Sequence, residues 1–179
     1  MCIRDSACLR AASAVRLAGS GGRRPVPMSA TAQVFTHLMH SQDRNQMGRI
    51  FGGHVLRLCY EAAFITAVAH AGAACDPGAL DDVAFHLPVP IGCILRLEAR
   101  VASVAGRQMR VHVRALRVSP AEPAEPARLT NELWLTVYSR AGDAPPVVPT
   151  TVDEVLEAVA AAAQADGDGA AAGLSLIHI

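Results

Sequence analysis

The chain has 179 residues, of which 51% are apolar, and its 16 basic and 16 acidic side chains cancel. This balance lacks the low hydropathy of a disordered chain and the basic excess of a nucleic-acid-coating protein, and the length suits one self-supporting domain rather than two. Five cysteines without a C-x-x-C pair read as reduced thiols, and the longest uncharged stretch in the middle of the chain, Ala62 to Cys75, is too short to cross a bilayer.

The first six residues can be encoded by ATGTGTATAAGAGACAG plus one base, and the last six by its reverse complement, CTGTCTCTTATACACAT plus one base. Chance hardly produces that relation, so Met1 to Ser6 and Leu174 to Ile179 read as adaptor-derived. From Ala7 to Ala30 there are four arginines, no acidic residue and many Ala, Ser and Gly. That composition fits a mitochondrial or plastid transit peptide, or a linker of a longer chain, with its boundary at Pro25 to Met28.

Ordered structure is expected from Thr31, where Ala32, Val34 and Thr36 alternate with Gln33, Phe35 and His37 as a first strand. After a polar loop, Ser41 to Gly48, comes Ile50-Phe-Gly-Gly53 and then the strongest regular signal. From Gly53 to Ala71 there is no proline, and Val55, Leu56, Cys59, Ala62, Ala63, Ile65 and Ala67 give apolar coverage almost all round a helix, with only Arg57 and Glu61 charged. Such a helix is expected to be enclosed, here by a curved sheet. Gly72 and the Cys75-Asp-Pro-Gly78 cluster are read as its end.

The period then changes to two. Asp82 to His86 leads to Pro88 and Pro90; Leu95, Leu97, Ala99 and Val101 alternate with polar residues; and Gly106-Arg107 makes a turn. Met109, Val111, Val113 and Ala115 repeat the pattern, with a bulge expected at Leu116 to Val118. A Pro-rich loop, Ser119 to Ala127, precedes a last strand from about Leu129 to Ser139, whose outer face would carry Trp134 and Tyr138 as candidate interface residues. Thr151-Val-Asp-Glu154 has the spacing of a capping box and opens a helix with a thin apolar stripe, either loosely docked or a leftover linker, ending before Asp166. The predicted class is α+β: a five-stranded antiparallel sheet wrapped around one long central helix. This sheet-and-helix unit spans 31–150, a helical tail 151–173, and residues 1–30 and 174–179 lie outside both.

The run Asp43 to Gly53, the helix Val55 to Ala71 and the segment Asp82-Val-Ala-Phe-His-Leu-Pro-Val-Pro-Ile-Gly92 together resemble the hotdog-fold acyl-coenzyme A thioesterases. Arg-Ile-Phe-Gly-Gly followed by Tyr60-Glu61-Ala62 looks most like the C-terminal hotdog of the mitochondrial tandem-hotdog members. The resemblance implies hydrolysis of acyl-CoA to fatty acid and CoA, a mitochondrial setting, and a second hotdog from another chain or domain. It implies neither a cofactor nor a nucleic-acid partner.

Gly52 and Gly53 stand at the start of the helix, where the first amides lack helical acceptors and the dipole adds partial positive charge. Donors fixed there would steady the oxygen of a thioester as it gains charge; the alternative is that paired glycines only let the helix enter tightly. Asn45 matches the active-site asparagine of the family, although an Asn in a polar loop commonly bonds its own backbone. Glu61, the only helix carboxylate, is a candidate general base if burial raises its pKa, or the partner of Arg57 one turn away. Many relatives carry an aspartate one position earlier, at Tyr60 in this chain, so the acid could come from a partner hotdog. His54, Asp82 and Arg107 are candidate substrate-binding residues; the alternatives are a His that only meets solvent at the helix start, an Asp that fixes a backbone turn and an Arg on the solvated face of a strand. No metal site is predicted. A rival function is a non-catalytic half completing a double hotdog; a third, an acyl-thioester dehydratase, would want a catalytic His with an acid on the helix and its loop, and the absence of any catalytic-position His on the helix after His54 argues against it.

Overall fold

The computed structural model describes residues 23–120 and 125–168, with the backbone alone for 164–168. The adaptor-like ends, most of the Arg-rich segment and the middle of the Pro-rich loop lie outside them, and the tail helix, expected to end before Asp166, instead continues to Asp168, because a single glycine at 167 lowers helix propensity without breaking the hydrogen-bond ladder. Strand β1 (Val26–Pro27) leads through a 3-10 turn, Met28–Thr31, into β2 (Gln33–Leu38); a second 3-10 turn, Ser41–Asp43, and a loop precede α1 (Gly52–Ala71). Strands β3 (Cys75–Phe85), β4 (Ile94–Ala105), β5 (Gln108–Val118), β6 (Arg128–Ser139) and β7 (Val147–Val148) follow, then α2 (Val152–Asp168).

Five strands form one antiparallel sheet in the order β2-β4-β5-β6-β3. The period-2 residues predicted to be apolar form its inner face: Leu95, Leu97 and Val101, Met109, Val111 and Val113, and Leu133, Leu135 and Val137 are buried. Against them lies one side of α1, with Val55, Leu58, Cys59, Ala62, Ala63, Ala67 and Ala71 buried. Thr66, also on that side, satisfies its hydroxyl on the Ala62 carbonyl at 2.8 Å. The expected irregularity in β5 is present as a register shift between Ala115 and Leu116.

Three expectations are corrected. The sheet wraps α1 only in part: Gly53, Arg57, Glu61 and Ile65 form an exposed stripe along the helix. Cys75-Asp-Pro-Gly78 does not end the helix. Gly72, at φ 63°, does so with its amide on the Val68 carbonyl, and the cluster belongs to edge strand β3, where a proline is tolerated. Gly78 is required there, since a Cβ would fall 2.9 Å from the Thr136 carbonyl oxygen. Finally, the packed chain begins before Thr31: β1 pairs in parallel with β7, and Met28 is fully buried.

The outer face is covered in part by α2, which is docked rather than loose. Its capping box forms as the spacing predicts: the Glu154 amide donates to Thr151 Oγ1 at 3.2 Å, and Glu154 Oε2 accepts from the Thr151 amide at 3.2 Å. Ala158 and Ala161 are buried. Glu157 is gripped by the Arg100 guanidinium and lies 2.9 Å from His112 Nδ1, while His112 Nε2 is 2.7 Å from Glu132 Oε1. Trp134, expected at an interface, is only 7% exposed and stacks on the His112 ring at 4.3 Å, so its own chain covers it. Tyr138 stays partly exposed.

Candidate active site

The loop before α1 is tied into the sheet at several points. The Met39 amide donates to the Cys93 carbonyl, Gly92 donates back to Met39, and Ile50 donates to Val89, each at 2.8–3.0 Å. Between these anchors Asn45 organises the turn. Its Oδ1 accepts the Met47 and Arg49 amides at 2.9 and 3.1 Å, and its own amide donates to the Arg49 carbonyl at 2.6 Å. The carboxamide oxygen is therefore used by the backbone, as an Asx turn uses it, while Nδ2 donates to no acceptor among the described residues.

The turn delivers Phe51 as the N-cap of α1, with its amide on the Asp43 carbonyl at 2.9 Å and no side-chain cap. His54 and Val55 donate back to the Phe51 carbonyl, but the Gly52 and Gly53 amides have no acceptor among the described residues. A helix start left this way presents N–H donors and about half a positive charge to an incoming oxygen. The glycines also have a packing role. A Cβ on Gly52 would sit 3.2 Å from Phe85 Cε1, and one on Gly53 2.5 Å from Phe51 Cε1. Tight packing and open amides coexist, because two aromatic rings occupy the space that side chains at 52 and 53 would fill. Both phenylalanines remain 60% exposed, giving the amide donors an apolar lip.

His54 Nδ1 lies 3.8 Å from Asp43 Oδ1, and both side chains are about one-fifth exposed. Sequence reasoning did not find this pair. Asp43 belongs to the loop and His54 to the helix, and only the return of the chain through the Asn45 turn sets them side by side.

Glu61 and Arg107 are not gathered here. Glu61, expected among apolar neighbours, lies on the exposed stripe with a side chain 49% exposed, 3.7 Å from Arg57. Its burial, the cause proposed for a raised pKa, is absent in the single chain. Eight residues of helix separate it from Gly53, about 12 Å along the axis. Tyr60, where the resemblance implies an acid, stacks parallel to Phe64 at 6.3 Å. Asp82 adopts φ 47° in β3 beside a register shift, so it shapes the backbone of the edge strand. Arg107 donates from Nε to the Ser139 carbonyl at 2.8 Å, and Ser139 pairs with Cys75, just beyond the C-terminal end of α1. That is the opposite end of the helix from the glycines.

Burial pushes the Cys59 thiol up to about 12, so it stays protonated and inert on the packed side of α1. Among the described residues no group of three or more His, Cys, Asp or Glu side chains is placed to hold a metal ion.

Residues 47–124 match the family model described as Thioesterase superfamily. Mouse acyl-coenzyme A thioesterase 10, mitochondrial, is 30% identical over 119 residues, which are 65% of this chain and 26% of that protein. The bovine acyl-coenzyme A thioesterase 9, mitochondrial, is 32% identical over the same shares. The chain thus spans about a quarter of the length of these curated relatives. Among solved structures, an apo-hexameric acyl-CoA thioesterase superposes with a TM-score of 0.77 at 29% identity, covering 85% of this chain and 99% of that one. The acyl-CoA hydrolase of Staphylococcus aureus, in complex with butyryl-CoA and CoA, gives 0.74 at 26% identity, covering 81% and 90%.

Proposed function

Because the chain carries a hotdog domain of the thioesterase superfamily, we propose that it hydrolyses acyl-CoA thioesters to free fatty acid and CoA. The observation that carries this reading is the pair of unsatisfied amides, Gly52 and Gly53, at the start of the central helix and beside exposed aromatic rings. A thioester presents one acceptor oxygen flanked by an apolar acyl chain, and this mouth offers donors flanked by apolar surface. As water attacks the carbonyl carbon, negative charge grows on that oxygen, and donors already in place need no reorganisation to receive it; one such donor is worth about 10²–10³ in rate. Asn45 fixes the loop geometry, and its free Nδ2 can hold water or thioester. No covalent enzyme intermediate and no cofactor is needed.

The exposed stripe of α1, on which Ile65 leaves an apolar side chain in solvent, supports a second hotdog packing alongside, from another copy or from another domain of a longer chain. The hexameric state of the structural relative supports association of this kind. We propose a mitochondrial setting from the Arg-rich segment and from the names of the relatives.

A second reading is favoured by Tyr60 and the outward Glu61: this hotdog could complete the fold and the CoA channel while a sister domain carries the acid. Incubating the chain alone with hexanoyl-CoA and a thiol reagent separates the two. Thiol release that falls about a hundredfold or more in Asn45→Ala supports hydrolysis, whereas a folded, associated and inert protein favours the silent half.

A further inference from the structure

Resting on the hydrolase reading, we infer that His54, positioned by Asp43, is the general base of this hotdog. Three observations converge on it. Its imidazole is carried on the helix residue next to Gly53, and because each Cα–Cβ bond of an α-helix tilts toward the N-terminus, the side chain at 54 leans back over the first turn, where the free amides are. Its Nδ1 faces a carboxylate, Asp43 Oδ1, at 3.8 Å; closing that gap to a hydrogen bond would hold the proton on Nδ1 and leave Nε2 as the basic nitrogen. The separation exceeds a hydrogen bond, as catalytic contacts commonly do before substrate binds. Position 60 carries a tyrosine and no carboxylate, and Glu61 lies two turns along the helix on the Arg57 side, out of reach of a water held at the glycine amides.

The step balances with water as the only co-reactant. His54 Nε2 accepts a proton as the water oxygen forms its bond to the thioester carbon, and the carbonyl oxygen, now an oxyanion, is held by the Gly52 and Gly53 amides. When the oxyanion collapses the C–S bond breaks, and the imidazolium returns the proton to the departing sulfur, giving the CoA thiol and the carboxylic acid. Asp43 does not change protonation; it orients the ring and steadies its transient charge. Arg57 and Glu61 pair with each other on the stripe, so Asp43 is the carboxylate found facing the imidazole.

The test uses the full chain, hexanoyl-CoA and a thiol reagent across pH. His54→Gln should lower kcat by about 10²–10³ with KM changed less than threefold, and should remove the acidic limb of the pH–rate profile. Adding free imidazole to His54→Ala should restore part of the rate, a response that a folding defect would not give. Asp43→Asn, a positioning change, should lower kcat about tenfold and displace the same limb. If wild type is active and His54→Gln keeps more than half of its kcat with an unchanged pH profile, the base is elsewhere and the inference fails while the hydrolase reading stands. Wild type that is folded and inert overturns both.

Discussion

The two sides of the central helix behave as different molecules. One side, Val55 through Ala71, meets the inner face of the sheet and consists of apolar and small residues packed without charge. The other, Gly53, Arg57, Glu61 and Ile65, lies open in the single chain and carries the only charges of the helix. The difference teaches that burial and chemistry divide along one rod: the packed side holds the helix in place, and its front end, where packing stops, keeps unpaired donors and a titratable pair. Since free backbone donors are costly when buried without a partner, they persist where a ligand can reach them.

The contrast is broken most severely from the packed side. Leu58→Ala, at a site 6% exposed, is expected to cost about 2–5 kcal/mol through lost burial and a residual cavity. A urea midpoint close to wild type would show that the packed side is not what holds the helix.

A smaller effect should come from the outer face of the sheet, where α2 is held by charge. Burial lowers the His112 pKa below its ordinary value, against the pull of Glu132. Burial works against the Glu154 charge as well, but hydrogen bonds from the Thr150 amide and hydroxyl and the Thr151 amide outweigh it and hold that carboxyl below its ordinary value. For both groups the unfolded chain binds protons before the folded one as pH falls, so stability must drop. The His112 contribution starts as pH falls through about 6.5, the ordinary imidazole value, and that of Glu154 below about 4.5. Trp134, the sole tryptophan and in contact with His112, reports the transition by fluorescence. Its urea midpoint should fall as pH drops through about 6.5 and again below about 4.5, and Glu154→Gln should flatten the second fall. A midpoint that rises on acidification contradicts this account.

The smallest effect is expected on the open side. Glu61→Gln removes an exposed pair at 3.7 Å and should change stability by no more than about 0.5 kcal/mol. With His54 as base it should also leave kcat within twofold. A hundredfold loss would return the general base to Glu61 and require a second hotdog to bring it to the thioester.

Much of this architecture was legible in the residues. Leu95 to Val101 and Met109 to Ala115 alternate cleanly because each strand has one face against the helix, and Thr151 with Glu154 announced its own cap. Partial wrapping was not legible, because the composition of α1 says that it dislikes water without saying which neighbour covers each flank. Pro77 and Gly78 misled for a similar reason: they break a helix, yet an edge strand with a free side and a crowded neighbour at Thr136 accommodates them. At the site, the Gly52-Gly53 helix start and the Asn45 loop could be read directly. Glu61 could not be judged, since exposure depends on the sheet, and the Asp43–His54 pair could not be foreseen.

The amino-acid sequence by itself determined the local and periodic properties of this protein: which strand faces are apolar, where helices start, and that a glycine pair opens the long one. These depend on repeats of two or 3.6 residues and on neighbours within a turn. Tertiary structure alone decided that the Asn45 turn folds Asp43 back to His54, that the Phe85 ring lies over Gly52, and that Glu157 of the tail reaches Arg100 and His112. Such contacts join segments distant along the chain, and their existence depends on loop closure and sheet curvature that no short window of residues encodes.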